Sequence, residues 1–382
     1  MIKIVTVVGA RPQFIKSAAI SREISLNFST QINEVIVHTG QHYDKSMSNV
    51  FFDELNIPKE KYNLQIGSSN HANQTAQIMI SFDDVIEKEN PNAVLLYGDT
   101  NSTLAACLVA VKRQIPIIHI EAGVRSYNKK FPEEVNRLIC DHVSSLLFVP
   151  SYDGVKCLLR EGFSTDNTAN NDILMNNPLV FHCGDIMYDN TLFFKNKADM
   201  HLEKLFTKYS LPKKDYFLIT AHRPSNVDIT ENFKNILSFC HYAINILNKK
   251  IVFPIHPRTK KLLENNKELL RMIHIEGLYT IPPVSFIEMI GLQKFSDLII
   301  TDSGGVQKEA FFMEKPCLIM LEETPWVELV ESKNAMIVGS NYELLCKGAE
   351  YYLNNTPKTF DSIYGNGQSC NFICQKIIEN IL

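Results

Sequence analysis

The chain has 382 residues, of which 45% are hydrophobic and 21% are charged, and its formal net charge is −4 at pH 7. This composition is typical of soluble globular proteins and excludes a disordered or fibrous chain. Because there is no excess of basic residues, binding to nucleic acid or to an anionic membrane surface is not expected. At roughly 100–200 residues per domain, the length predicts two domains, or three small ones.

The spacing of the cysteines and histidines bears on whether the chain has disulfides or a metal site. The nine cysteines are scattered and form no Cys-x-x-Cys pair, which favours a reduced, cytoplasmic chain over a disulfide framework or a zinc ribbon. The eleven histidines form no His-Glu-x-x-His motif, so a catalytic metal is not predicted. No apolar run approaches the ~18 residues of a membrane-spanning helix.

Strand-like and helix-like segments alternate along the first half of the chain. The short apolar runs that predict buried strands are Ile4–Val8, Val35–Val37, Ala93–Tyr97, Ile115–Ile120 and Leu146–Val149. Segments with a helical period lie at Asn73–Glu89 and Ser102–Lys112. Such alternation is typical of a parallel sheet with helices on both faces.

The second half repeats this alternation after an asparagine-rich stretch, Ser164–Pro178, which predicts a surface loop. A helical period covers Asn232–Leu247, and the strand-like runs are Tyr216–Thr220, Ile251–Ile255, Leu298–Thr301 and Pro316–Met320. We therefore predict an α/β protein with two Rossmann-like domains, residues 1–184 and 185–365, that face one cleft. A final helix in residues 366–382 is expected to pack back on the first domain.

Residues that follow strands are the first candidates for a site, because ligands of α/β sheets bind beyond the carboxyl ends of the strands. Gly9 permits a tight turn after the first strand, and Pro12 suits the first turn of a helix. Arg11 and Lys16 then lie near the positive end of that helix, which suits a phosphate. An ordinary strand–helix turn with two solvated bases fits equally well, and the Gly-x-Gly-x-x-Gly motif is absent.

Three carboxylates of the first half, Asp99, Glu121 and Glu133, follow strand ends or open a helix. A single carboxylate in such a place is more often a helix cap than a catalytic group. A group of them at the same edge of a sheet shifts the pKa values of its members apart, as acid–base chemistry requires.

The second half offers groups that suit a diphosphate. Ser303–Gly305 follows a strand and exposes backbone N–H groups at a helix start. Glu309 lies in the first turns of that helix, where its carboxylate complements the dipole or accepts hydrogen bonds from a ribose. His222 and His256 each follow a strand beside an arginine, an arrangement that can hold diphosphate oxygens.

Together these segments resemble the non-hydrolysing UDP-N-acetylglucosamine 2-epimerase family. The resemblance extends from Gly9 to at least Glu331, and the shared order and spacing of its motifs make it specific. The motifs are Gly9–Lys16, Thr39–His42, Gly98–Thr103, His119–Arg125, Pro132–Arg137, His222-Arg223 and Asp302–Glu309. The family implies a glycosyltransferase-B-like fold with the nucleotide sugar in the cleft, and commonly a homodimer.

The family also implies a reaction, the reversible conversion of UDP-GlcNAc to UDP-ManNAc without a cofactor. A base removes the C2 proton while UDP leaves, which gives a 2-acetamidoglucal. UDP then adds back, and a proton is delivered to the opposite face. This chemistry needs carboxylates for proton transfer and cations for the departing diphosphate. The expected product is a precursor for surface polysaccharide.

The resemblance assigns roles to individual positions of this sequence. The catalytic positions are Asp99, Glu121, Glu133 and His222. The positions implied to bind the UDP-sugar are Arg11, Lys16, Arg137, Met289, Ser303, Gly304, Gly305 and Glu309. The assignment of base and acid among the carboxylates stays open.

Several positions depart from the commoner family pattern. Ala10 and Gln13 stand where Thr and Glu are usual, and the segment His222–Asn226 lacks the usual Glu. Trp326 stands where a substrate-binding Arg is common. These variants resemble a subgroup that acts on UDP-2,3-diacetamido-2,3-dideoxyglucuronate, so two sugars stay open.

Three other functions are weighed against the epimerase. A retaining glycosyltransferase would carry Glu-x7-Glu ending at Glu309, but the first position is Thr301. A hydrolysing epimerase has a different turn after its first strand. A catalytically inactive nucleotide-sugar sensor is disfavoured because all three carboxylates and His222 are present.

Overall fold

The structure is a computed structural model that describes residues 1–40, 58–167, 176–195 and 197–381, without the side chains of Arg11 and Met200. The chain divides into two compact units. The first comprises Met1–Asn190 and Ser362–Leu382, and the second comprises Thr191–Asp361. Each unit is built around one parallel sheet.

The strands form a seven-stranded sheet in the first unit and a six-stranded sheet in the second. The first sheet has the order β3-β2-β1-β4-β5-β6-β7, and the second has the order β10-β9-β8-β11-β12-β13. The bounds are β1 Ile2–Val8, β2 Ile32–His38, β3 Tyr62–Asn63, β4 Ala93–Tyr97, β5 Ile117–Ile120, β6 Leu146–Val149, β7 Leu179–His182, β8 Tyr216–Thr220, β9 Lys250–Pro254, β10 Leu278–Ile281, β11 Leu298–Thr301, β12 Cys317–Ile319 and β13 Ala335–Ile337.

Among the described residues, helices lie between successive strands from β1 to β2 and from β3 onward, as parallel pairing requires. Their bounds are α1 Arg11–Glu23, α2 His71–Glu89, α3 Asn101–Lys112, α4 Pro132–Val143, α5 Tyr152–Arg160, α6 Ile186–Lys195, α7 Ala198–Tyr209, α8 Pro224–Val227, α9 Thr230–Asn245, α10 Pro257–Glu264, α11 Lys267–Ile273, α12 Phe286–Phe295, α13 Gly304–Phe312, α14 Val327–Glu331, α15 Tyr342–Asn354 and α16 Ser369–Asn380. A π-helical turn, Ile24–Phe28, follows α1 directly.

The cores lie between the sheets and these helices. All five residues of β4 are buried, which explains the unbroken apolar run in the sequence. In the first unit, Phe82 of α2 and Ala106 of α3 belong to the same buried cluster as Val94 of β4. In the second, Phe233 of α9 clusters with Phe217 of β8.

The strand order reverses once in each sheet, between β1 and β4 and between β8 and β11. The helices that follow these neighbouring strands lie on opposite faces, so a crevice opens beyond the carboxyl ends of the strands. In the first unit, the segments at this position are Gly9–Arg11 and Gly98–Thr100. In the second, they are Ala221–Arg223 and Asp302–Gly304.

The predicted strands and helices are present, with shifts at their ends. The strand predicted to start at Ile115 begins at Ile117, because Pro116 has no N–H to donate and Gln114 has a left-handed φ of 57°. The short strands β3, β7, β10 and β13 lie at the edges of the sheets and were not predicted.

The boundary between the units lies after Asn190 rather than after residue 184, and the chain returns to the first unit at Ser362 rather than at residue 366. The start of α6 belongs to the first unit because the side-chain amide of Asn190 donates to the carbonyl of Ile15. Asp189 accepts the N–H of Cys370 at 2.8 Å. Helix α16 lies in this unit and contacts α1.

Candidate functional site

A buried glutamine ties together the two strand ends at the reversal point of the first sheet. Oε1 of Gln13 accepts the N–H groups of Gly9 at 2.8 Å and Ala10 at 3.1 Å. Its Nε2 donates to the carbonyl of Tyr97 at 2.9 Å. An ionised glutamate could accept at both oxygens but could not donate to Tyr97, so the glutamine that departs from the commoner family pattern has a structural reason. The sequence showed that Gln13 departs from the family pattern, but not that its side chain joins the two strand ends.

The turn after β1 leaves no room for a side chain at Gly9. A Cβ atom there would overlap Oγ of Ser102 and Oγ1 of Thr39, which are hydrogen-bonded to each other at 2.8 Å. We expect Gly9→Ala to lower the free energy of unfolding by about 2 kcal/mol, the cost of overpacking a core. Urea titration followed by circular dichroism measures this loss.

The matched control is Gly67→Ala, because a Cβ atom at Gly67 meets no described atom within 4 Å. That variant should change the free energy of unfolding by less than about 0.5 kcal/mol. Equal urea midpoints for the two variants would show that the turn has room for a methyl group.

Asp99 and Arg137 form an ion pair beyond the end of β4. The carbonyl of Asp99 also accepts Nδ2 of Asn136 at 2.8 Å. The pKa of Asp99 is raised, chiefly because burial disfavours the charged carboxylate. Arg137 opposes this rise, whereas the charges of Glu121 and Glu133 add to it. Asp99 therefore lies within the field of both other predicted catalytic carboxylates.

Glu121 lies beside this pair and contacts Lys16. Its φ is +72°, a left-handed conformation that costs of order 1–3 kcal/mol in a non-glycine residue. The backbone is held there because the N–H groups of Glu121 and Ala122 both donate to the carbonyl of Phe148 at 3.1 Å. The Nζ atom of Lys16 is ion-paired with Oε2 of Glu121. This conformation aims the carboxylate at the end of β4, since a Cβ atom at Gly98 would lie 3.3 Å from it.

The adjacent residues Glu133 and Glu134 have different environments at the start of α4. Glu133 is exposed, whereas Glu134 is buried. Glu134 accepts the N–H of Ser126 at 2.9 Å and Nη2 of Arg137 at 2.7 Å. Burial alone would raise the pKa of Glu134, but these hydrogen bonds outweigh it and the pKa is lowered. Glu134 therefore anchors Arg137, a role that sequence reasoning did not assign.

In the second unit, Asp302 organises the residues after β8. This carboxylate is fully buried. Its Oδ2 accepts the backbone N–H groups of His222 and Arg223, each at 2.8 Å, and Nδ2 of Asn226 at 3.0 Å. Nδ1 of His222 lies 2.9 Å from Oδ1. Burial would raise the pKa of Asp302, but His222 and the other donors lower it. Asp302 thus fixes the imidazole of His222, which remains partly exposed.

The loop between β11 and α13 has the form expected of an anion site. Helix α13 begins at Gly304 after Ser303, and Gly305 is exposed, so the first N–H groups of the helix face outward from its positive end. Glu309 is buried, and its Oε2 accepts Nε2 of Gln293 at 2.7 Å. Met289 is half-buried on α12, one turn before Gln293.

Trp326 borders the same loop. Its Nε1 lies 3.4 Å from the position that a Cβ atom would take at Gly304. The Nζ atom of Lys308 lies 3.9 Å from the centre of the Trp326 ring, within the range of a cation–π interaction. A cation is therefore present next to the tryptophan that stands in place of the commoner arginine. The sequence revealed the missing arginine but not this lysine.

Some predicted positions lie outside the described residues. They are the side chain of Arg11 and the pair Gln41 and His42. Among the residues that are described, no group of three or more His, Cys, Asp or Glu is arranged to hold a metal ion. Over the same residues, no helix has the length and apolarity needed to cross a membrane.

Sequence comparison identifies related proteins along almost the whole chain. The family model "UDP-N-acetylglucosamine 2-epimerase" matches residues 25–378. A UDP-N-acetylglucosamine 2-epimerase homolog of Methanococcus maripaludis is 42% identical over 367 residues, 96% of this chain and 97% of that protein. The UDP-2,3-diacetamido-2,3-dideoxy-D-glucuronate 2-epimerase of Pseudomonas aeruginosa is 40% identical over 378 residues, 99% of each chain.

Solved structures agree with this assignment. The UDP-GlcNAc 2-epimerase of Methanocaldococcus jannaschii, in complex with UDP-GlcNAc and UDP, has a TM-score of 0.85 at 38% identity and 99% coverage of both chains. A glycosyltransferase from Rickettsia africae, 14% identical with a TM-score of 0.56, shares the fold alone. The predicted glycosyltransferase-B-like fold is thus confirmed, as is the predicted family. The chain belongs to the UDP-N-acetylglucosamine 2-epimerase family and is an isomerase.

Proposed function

We propose that this epimerase interconverts UDP-GlcNAc and UDP-ManNAc by eliminating UDP to a 2-acetamidoglucal and adding it back. The observation that carries the proposal is the grouping of Asp99 and Glu121 with Lys16 and Arg137 beyond the ends of neighbouring strands. Proton donors and acceptors of adjustable pKa therefore lie beside cations. That combination suits the loss of a proton coupled to the departure of an anion.

Inversion at C2 needs two proton-transfer groups, because the proton leaves one face of the sugar and arrives at the other. A base must be ionised when it accepts the proton, and an acid must be protonated when it donates. The raised pKa of Asp99 makes its carboxyl the candidate for the acid of the pair. Glu121 is paired with Lys16, and exposed Glu133 completes the proposed set.

The second unit is proposed to hold the UDP group. The N–H groups of Ser303, Gly304 and Gly305 receive the diphosphate at the start of α13, where the helix dipole favours an anion. His222, oriented by Asp302, donates to the leaving group. Glu309 accepts hydrogen bonds from the ribose.

Three further side chains complete the proposed binding site. Met289 packs against the uracil. Lys16 contributes positive charge for UDP. Arg11 does the same, because it lies in the first turn of α1.

Two observations favour a second UDP sugar as the substrate. The Pseudomonas aeruginosa relative is named for UDP-2,3-diacetamido-2,3-dideoxy-D-glucuronate and is 40% identical. This chain carries Trp326 with Lys308 stacked on its ring, and a buried cation beside the loop suits a substrate with an added carboxylate. The uronate is therefore the second candidate substrate.

The proposal also covers the oligomeric state and the cellular location of the protein. We infer a cytoplasmic homodimer whose product enters the synthesis of surface polysaccharide. Nine cysteines without a Cys-x-x-Cys pair suit a reducing compartment. Light scattering on the purified protein should give twice the mass of one chain.

The substrate is tested by incubating the purified protein with UDP-GlcNAc and, separately, with the diacetamido uronate. NMR of the products should show one C2 epimer of the preferred substrate, formed to the same final ratio from either side. If neither sugar reacts and UDP appears only after a sugar acceptor is added, the protein is a glycosyltransferase and the proposal is wrong.

A further inference from the structure

A buried histidine on β5 contacts helix α4 and the loop after β4. His119 is fully buried. Its Nδ1 lies 2.7 Å from Oδ1 of Asp141, and its Nε2 lies 2.8 Å from the carbonyl of Gly98. A backbone carbonyl only accepts, as does an ionised carboxylate. Both ring nitrogens must therefore donate, which makes His119 an imidazolium.

The charge of this imidazolium is balanced within the first unit. Asp141 pairs with His119 and also with Nη1 of Arg125, at 2.7 Å from Oδ2. The Nε atom of Arg125 lies 2.7 Å from Oε1 of Glu161. Two cations and two carboxylates thus alternate, an arrangement that buried charges require. On the outer side, Nε2 of partly exposed His142 lies 3.3 Å from Glu161.

The pKa directions agree with this ion-paired state. Burial alone would lower the pKa of His119, but the hydrogen bond and charge of Asp141 outweigh burial, and the pKa is raised. Burial would likewise raise the pKa of Asp141, whereas His119 and Arg125 lower it. The pKa values of His119 and Asp141 are thus shifted in the directions expected of an ion pair.

His119 and Asp141 each contact a loop that bears a proposed catalytic carboxylate. Gly98 precedes Asp99 and has a φ of 62°, and Gly123 follows Glu121 by two residues and has a φ of 77°. Oδ2 of Asp141 accepts the N–H of Gly123 at 3.0 Å. His119 thus reaches the first loop directly and the second through Asp141.

We propose that His119 is a positioning residue whose imidazolium sets the relative placement of Asp99 and Glu121. The inference rests on the proposed roles of these two carboxylates. A neutral imidazole has one N–H and can donate to Gly98 or to Asp141, but not to both. Loss of one ring proton would therefore release one of the two loops. The effect should appear in turnover rather than in UDP binding, because the proposed UDP loop belongs to the other unit.

The test compares His119→Phe, which keeps most of the ring volume but removes both bonds, with His119→Gln, which keeps a donor near the position of Nε2. For the phenylalanine variant we expect kcat about 10²-fold lower, the scale set by a small misplacement of reacting groups, with KM and UDP affinity within about threefold. The glutamine variant should recover at least tenfold of that loss. A phenylalanine variant with normal kcat, or a glutamine variant as slow as it, would overturn the proposal.

The wild-type protein provides a test that does not depend on either variant folding. Nitrogen-15 NMR of labelled histidine should show both ring nitrogens of His119 protonated at pH 7, and a neutral ring would overturn the proposal. Failure of the wild type to epimerise either UDP sugar would instead remove the proposed function, and the catalytic part of this inference with it. If the wild type turns over normally and His119→Phe does so as well, the positioning role is excluded and the proposed function is not.

Discussion

Replacing Asp99 with asparagine is expected to lower the turnover number about 10²-fold or more, the usual contribution of a proton-transfer group. The substitution keeps the shape of the side chain but removes its ability to exchange a proton. Asp99 carries a raised pKa and faces Arg137, so the lost group is the one whose environment suits proton exchange. Glu121→Gln and Glu133→Gln should each lower turnover by a similar factor. Steady-state kinetics with the UDP sugar measures these losses.

UDP affinity separates a chemical defect from a binding defect. Isothermal titration should give nearly unchanged UDP affinity in all three variants, because most of the proposed UDP contacts, Ser303–Gly305, His222 and Glu309, belong to the second unit. Asp84→Asn is the matched control, since Asp84 is an exposed carboxylate on α2, and it should leave turnover unchanged. Near-normal turnover in all three carboxylate variants would contradict the mechanism.

Replacing Asp302 with asparagine is expected to destabilise the second unit by about 3 kcal/mol, because hydrogen bonds to a buried charged acceptor are lost and their donors are left without a partner. The amide presents N–H groups where the backbone of His222 and Arg223 also donates, and it removes the charge opposite the imidazole. The chain has a single tryptophan, Trp326, which lies in the second unit. Its fluorescence during urea titration therefore reports the unfolding of that unit.

The control for this variant is Asp297→Asn. Asp297 pairs with Lys249 at 2.6 Å but is partly exposed, so its loss should cost less than about 1 kcal/mol. Equal urea midpoints for the two asparagine variants would mean that Asp302 does not organise the loop after β8.

The pH dependence of the Asp302 effect has a defined sign. The pKa of Asp302 is lowered on folding, so its stabilisation is fully present above the ordinary carboxyl pKa and is lost as pH falls through the folded value. The difference between wild type and Asp302→Asn should therefore shrink only as the pH falls below the ordinary carboxyl pKa of 3.8. A constant or growing difference would show that the carboxylate charge contributes no stability.

Central strands were predictable from the sequence, and edge strands were not. β4 and β11 are runs of consecutive buried apolar residues, which is the pattern of a strand covered on both faces. β3 has two residues, and in β10 only the first and last of four residues are buried. Such short edge strands are stabilised by a neighbouring strand, so their own residues carry little signal.

The site was predictable at the level of which segments contribute, but not of which atoms meet. Motif order located Asp99, Glu121 and His222, because each follows a strand. Glu133 and Glu134 are adjacent in sequence, yet they point about 100° apart on a helix, so one is exposed and the other anchors Arg137. The roles of Gln13 and Asp302 depend on backbone groups of distant residues, which no local pattern reveals.

The most direct test of the proposed mechanism is proton NMR of the product formed in D2O from UDP-GlcNAc, or from the diacetamido uronate if that sugar is preferred. Elimination and re-addition predict an epimer that carries deuterium at C2, because the group that delivers the new proton to the opposite face takes it from solvent. An epimer that keeps its original proton at C2 in full would contradict proton transfer through the carboxylates.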